Sequence, residues 1–163
     1  MPGKTVIIVA MHGMPPSDFP KDQLSEWGRL HSTGASGKRY LELDENIRNW
    51  PRTLENDPYH AASYRLAGRM KELTGLEVIV GFNEFAKPGM GESFDLAVRS
   101  GATRVVVVTP MMTRGGSHSE SDIPAEIEKA KARYPALAVG YVWPFDEGKI
   151  SEFLTRQLEP YLA

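Results

Sequence analysis

Four short runs of aliphatic and β-branched residues stand out along the chain: Thr5 to Met11, Glu77 to Phe82, Arg104 to Thr109 and Leu137 to Val142. They show little alternation of apolar and polar positions, as strands covered on both faces require, and so predict a parallel sheet. Between and after them lie stretches with helical spacing and start signals. Tyr59 to Thr74 follows Asp57-Pro58, Gly89 to Ser100 follows Pro88, Ile123 to Tyr134 follows Asp122, and Glu147 to Tyr161 comes last. Gly75 and Gly101 directly follow the first two, at the position where a left-handed residue ends a helix. The regular alternation of strand and helix predicts an α/β fold: a doubly wound sheet of about four parallel strands, flanked by helices and joined by right-handed crossovers.

The segment from about Met14 to Asp57 breaks this alternation. A structureless stretch of that length is unusual in a compact domain, so Lys21 to Leu30, with Leu24, Trp27 and Leu30 on one face, is expected to form a short helix. The Ser32 to Gly37 run is expected to be a mobile tip, either a lid beside the first strand or a surface embellishment. The remainder is consistent with one domain over residues 1–163, carrying this segment as an insertion, and a chain of this size buries roughly 70% of its unfolded surface.

Composition changes the picture mainly by exclusion. Charged residues make up 25% and hydrophobic ones 41%, with 19 Lys and Arg scattered among 21 acids and a formal net charge of -2. That distribution offers no basic face for nucleic acid. Cysteine is absent, which removes disulfides, thiolate metal sites and a cysteine nucleophile. The apolar run Val6 to Met11 is too short for a signal-peptide core or a membrane span, and no small-residue cleavage site follows it, so a cytoplasmic location is expected.

Parallel sheets of this kind hold ligands outside the carboxyl ends of their strands. His12 directly follows the first strand, Glu84 follows the second by two residues, and His118 lies in the loop leaving the third. Neighbouring parallel strands lie ~5 Å apart, so the fold is able to bring all three side chains together. Two imidazoles and a carboxylate suit Fe, Co, Ni or Zn and leave coordination positions open for water or substrate. Each residue alone also has a plainer role open to it: a loop hydrogen bond for His12, a solvated cap for Glu84. Gly115-Gly116-Ser117-His118, ahead of a helix, reads equally as an anion-binding turn. His31 and His60, in a polar loop and at a helix start, are given no role.

Three motifs together resemble a known family. Gly81-Phe82-Asn83-Glu84-Phe85-Ala86-Lys87-Pro88, the run Val105 to Pro110, and Gly115-Gly116-Ser117-His118 with Asp122-Ile123-Pro124 are similar to the CbiX and SirB group of sirohydrochlorin chelatases, and His12-Gly13 fits as well. The resemblance implies a chelatase-like (flavodoxin-like) fold and ATP-independent insertion of cobalt, iron or nickel into a sirohydrochlorin-type tetrapyrrole. It implies metal contact through His12 and His118, with Glu84 at the family's acidic position as a metal contact or proton acceptor. The divalent metal, Co²⁺, Fe²⁺ or Ni²⁺, is then a substrate, and no organic cofactor is expected. The product would feed cobalamin, siroheme or a nickel cofactor.

A tetrapyrrole rich in carboxylates calls for cationic partners, and Arg114, Lys87 and Arg52 are the candidates near the expected rim. Met111, Met112, Trp143 and Phe145 follow strand ends and are either an apolar wall for a flat ring or the edge of the core. No internal repeat is visible, and a cleft for a large macrocycle is better built from two such domains, so a homodimer is expected. Two other classes of function stay in view. A histidine-phosphatase reading lacks the arginine that normally precedes the histidine, Met11 standing in its place. A non-catalytic metal or tetrapyrrole carrier would use the same ligands without the proton-removal step. A nucleotide site is a poorer match, since Gly89-Met90-Gly91 lacks the third glycine.

Overall fold

A computed structural model describes residues 3–162. The elements run β1 (Lys4–Met11), α1 (Lys21–Ser32), α2 (Lys38–Arg48), α3 (Pro58–Thr74), β2 (Glu77–Phe82), α4 (Met90–Arg99), β3 (Ala102–Val108), a π turn (His118–Asp122), α5 (Ile123–Arg133), β4 (Ala138–Tyr141) and α6 (Glu147–Leu162). The four strands form one sheet in the order β2-β1-β3-β4, with every pairing parallel. This is the doubly wound α/β architecture that the alternating pattern predicts.

β1 is central, and its even and odd residues serve different layers because successive strand side chains point to opposite faces. Val6, Ile8 and Ala10 pack with Val105 and Val107 beneath α4 and α5, through Phe94, Ile123 and Ile127. Ile7, Val9 and Met11 pack on the other face against Ala67 of α3 and Val80 of β2. Each buried Val or Ile contributes about 1.5–3 kcal/mol, so β1 is apolar at every position from Val6 to Met11. The register sets Met11 opposite Phe82 and Val9 opposite Val108, which brings the carboxyl ends of the three strands to one level.

The helix signals operate as local chemistry requires. The Asp57 carboxylate accepts from the His60 amide at 2.9 Å to start α3, with Pro58 in the first turn. Gly75, at φ 70°, ends it through a hydrogen bond from its amide to the Lys71 carbonyl. Glu92 closes the start of α4 by accepting from the Gly89 amide at 2.7 Å.

The segment between β1 and α3 holds two helices, not one. α1 covers the expected stretch and runs on to Ser32, so His31 lies on a helix and not in a loop. α2 is not evident from the pattern, because its buried face is only Leu43 and Ile47, one turn apart in a charged stretch. Together with Phe19, Trp27 and Phe85 these residues form a small core of their own, separate from the two that flank the sheet.

At the other end of the chain α6 has no buried residue. Phe153, Leu154 and Leu158 remain about half exposed. On the face that α3 covers over β2 and β1, the β4 residues Ala138 and Gly140 are exposed, and Val106 and Val108 of β3 are half-buried. Among the described residues no helix is long and apolar enough to cross a membrane.

Candidate metal centre

The loops leaving β1 and β2 are joined edge to edge. The Asn83 amide donates to the Met11 carbonyl and the Glu84 amide to the His12 carbonyl, each at 2.9 Å, continuing the sheet pairing beyond the strands. Gly13 makes this closeness possible: it sits at φ 93°, and a Cβ there would fall 1.9 Å from the Glu84 carbonyl oxygen. Phe85 adopts φ 61°, costly for a non-glycine residue. Its ring is buried in the insertion's core, and its carbonyl accepts from the Arg52 guanidinium, so packing and a charged hydrogen bond both hold the turn.

His118 comes from the third strand's loop and opens the π turn, where the Ile123 amide reaches back to the His118 carbonyl. The widened turn lets the His118 Nδ1 meet the Asp122 carboxylate at 2.7 Å. Below it Tyr141 donates to the Ser119 carbonyl at 2.9 Å, and burial pushes this phenol up to about 12, so it remains a donor throughout the ordinary pH range.

These devices bring His12, Glu84 and His118 together: one ligand atom from each lies within 4.8 Å of the other two. The His12 and His118 rings meet edge to face with centroids 4.5 Å apart. The Nδ1 of His12 lies 2.6 Å from the Gly13 carbonyl, which only accepts, so that nitrogen carries the proton and Nε2 keeps a free lone pair. Asp122 does the same for His118. An imidazole whose second nitrogen is tied to a carbonyl or carboxylate is the usual arrangement of a metal-binding histidine.

Beside the three residues opens a cleft of about 810 Å³, lined on one side by Trp27, His31 and Tyr40 of the insertion and on the other by His118, Asp122 and Lys129. His31 is a site residue that its assignment to a loop conceals. Its Nε2 lies 3.4 Å from the Glu84 carboxylate, and its ring stacks on Trp27 at 4.6 Å. The available signal was Trp27 and His31 one helical turn apart. Lys129 was likewise missed, although His118, Asp122, Glu126 and Lys129 follow the 4-4-3 spacing of a single helix face.

Of the three candidate substrate cations only Lys87 lines the cleft, where it pairs with Glu45 at 2.7 Å. Arg52 is a correction. Its side chain is 9% exposed and bonds to Asp57 at 2.6 Å, and it also donates to the carbonyls of Met14, Ile47 and Phe85. It cross-links four segments below the site. Arg114 is exposed and pairs with Glu120 away from the cleft lining. The residues weighed as an apolar wall do not line the cleft either: Met111 packs against the sheet core, and Trp143 packs on Phe145 and Tyr141.

Known proteins resemble this chain over much of its length. A CbiX family model matches residues 55–158, the stretch that contains Glu84 and His118. A sirohydrochlorin ferrochelatase of Priestia megaterium is 39% identical over 64 residues, 39% of this chain and 24% of that protein. A sirohydrochlorin cobaltochelatase of the same organism is 40% identical over 63 residues, 39% of this chain and 20% of that protein. The matched stretch thus spans about a quarter or less of these curated relatives' length. A crystal structure of a protein named for CbiX-type cobalamin (vitamin B12) biosynthesis, from Marinobacter aquaeolei VT8, shares the fold with a TM-score of 0.52. It is 18% identical, and the likeness covers 96% of this chain and 98% of that one. The chain belongs to the CbiX family.

Proposed function

We propose that this chain is an ATP-independent chelatase that inserts a divalent metal into sirohydrochlorin or a related tetrapyrrole, with cobalt the first metal to test and iron and nickel next. The observation that carries this reading is the set of three donors within 4.8 Å beside a cleft large enough for a flat macrocycle. In this role His12, Glu84 and His118 are the catalytic residues. The two imidazoles hold the ion through neutral nitrogens, weakly enough for release, and Glu84 accepts a pyrrole proton as metal-nitrogen bonds form. Lys87 and Lys129 face the substrate's carboxylates. The names of relatives divide between ferrochelatase and cobaltochelatase, and imidazole and carboxylate donors bind either metal.

The test follows the absorption spectrum of sirohydrochlorin with Co²⁺, Fe²⁺ or Ni²⁺, for the purified protein, for His118→Ala and without protein. Acceleration by the wild type alone supports the chelatase and ranks its metals. Binding of metal or tetrapyrrole without acceleration would establish a carrier instead.

In the same reading residues 1–163 act as one chelatase-like domain with residues 14–57 inserted, working in the cytoplasm as a homodimer. The dimer is supported by α6, whose apolar stripe has no cover, and by the bare β3-β4 half of the sheet that a second copy's α6 would suit. Light scattering checks this: a dimer is expected, and Leu154→Glu with Leu158→Glu should yield monomers.

A further inference from the structure

Resting on the metal-handling reading above, we propose that His31 and Glu84 form an outer metal station, from which the ion passes to His12 and His118 with Glu84 shared between the two. Four observations carry this assignment.

The first is separation. Two donors bound to one ion at 2.0–2.2 Å with a tetrahedral angle lie about 3.4 Å apart, and the His31 Nε2 to Glu84 oxygen distance is 3.4 Å. The second is preparation of the imidazole. The His31 Nδ1 is engaged by the Tyr40 hydroxyl at 3.0 Å and the ring is clamped flat on Trp27, with 12° between the planes. His31 thereby joins His12 and His118 in having Nδ1 occupied and Nε2 directed elsewhere, as metal-binding histidines do. The third is position. His31 lies outside the set of donors that fall within 4.8 Å of one another, so in this arrangement it serves a separate station and not a fourth place on the inner one.

The fourth is a gradient of exposure. The His31 side chain is 46% exposed and that of Glu84 18%, and His118 is at 16%. A hydrated ion reaching the cleft meets His31 first, with Glu84 at 3.4 Å behind it. Replacing part of its water there, before the inner imidazoles take over, divides the cost of dehydration into two smaller steps. No covalent bond is made or broken in this transfer; ligand exchange at the ion is the whole event. Acids outnumber cations six to three along the cleft lining, so although Asp44 and Glu45 are paired with Arg48 and Lys87, a net negative field remains to attract a cation.

The experiment uses Co²⁺ alone as probe, following its visible ligand-field absorption by stopped flow and its paramagnetically shifted imidazole resonances by NMR. His31→Ala should slow Co²⁺ association about tenfold. In His12→Ala, Co²⁺ should still bind and shift the His31 ring resonances, and His12→Ala with His31→Ala should lose that binding. Unchanged association in His31→Ala would overturn the outer station. So would full recovery in His31→Gln, since glutamine keeps a hydrogen bond to Glu84, or equal Co²⁺ binding by the single and double variants. Failure of the wild type to bind Co²⁺ overturns both this station and the metal centre. Binding that depends on His31 in a protein that does not metallate sirohydrochlorin upholds the station and overturns the chelatase reading alone.

Discussion

The two walls of the cleft are built in opposite ways. The strand-end wall carries Glu84 and His118, with His12 beside them, on loops that leave the sheet, those of β1 and β2 tied by main-chain hydrogen bonds from Asn83 and Glu84 to Met11 and His12. Its geometry follows from the register of β1, β2 and β3. The insertion wall carries Trp27, His31 and Tyr40 on α1 and at the start of α2, over a small core of its own. This wall is attached by side chains: Phe85 of the β2 loop packs into its core, Arg52 binds Asp57 at the start of α3, and Arg48, held by Asp44 of its own helix, donates to the carbonyls of Ala86 and Asn83. Within the insertion the Trp27 indole donates to Asp44 at 3.0 Å and so joins α1 to α2. A wall continuous with a sheet is as stable as the sheet, whereas one held by a few ionic bonds can be loosened by one substitution.

The largest effect expected is on the attachment. Arg52→Met leaves the Asp57 carboxylate, 1% exposed, without its cation, and should cost about 3–5 kcal/mol in denaturant unfolding. A loss below about 1 kcal/mol would show that the insertion does not depend on this pair. His12→Ala and His118→Ala act on the other wall. Each should lower tetrapyrrole metallation by about 10²-fold or more while leaving the melting temperature close to that of the wild type. Unfolding of these variants would mean that the strand-end wall needs its ligands for stability.

Gly13→Ala tests the seam between the β1 and β2 loops. The added methyl meets the Glu84 carbonyl at a positive φ, so a cost of at least about 1 kcal/mol is expected together with weaker Co²⁺ binding. Loss of stability with metal binding intact would show that the donors tolerate movement of the loop.

The smallest effect is a pH dependence beneath the strand-end wall. His60 stacks on Phe82 at 5.3 Å. Burial, only partly offset by Asp57 and reinforced by Arg52, holds its imidazole below the ordinary 6.5. Between that lowered value and 6.5 the unfolded chain binds more protons than the folded one, so stability rises with pH through this window. The contribution is complete above about 6.5 and is lost as pH falls through the folded value. His60→Gln should flatten the slope of unfolding free energy against pH in the window just below 6.5, and an unchanged slope would assign it to another group.

How far the sequence could be read follows the same division. β1 was legible because burial on both faces leaves an unbroken apolar run, β3 and β4 because their β-branched residues keep one face in the core, and the flanking helices because Asp57, Pro58, Gly75 and Gly101 act on their nearest neighbours. α2 was hidden because two buried residues make too thin a stripe to show through eight charged and polar neighbours and an exposed Leu41.

By itself the sequence determined the order of the four strands and of every helix except α2, the parallel sheet, and the placing of His12, Glu84 and His118 at one edge of it. All of these depend on local periodicity and on the general rule for where parallel strands end. Only the tertiary structure decided that Arg52 is a buried cross-link, that Arg114 turns away from the cleft while Lys129 faces it, and that His31 reaches Glu84. The contacts of His31 with Glu84 and of Arg52 with Phe85 depend on how a long insertion folds back over the strand ends, whereas Arg114 is drawn aside by Glu120 six residues on and Lys129 shares a helix face with Asp122 and Glu126.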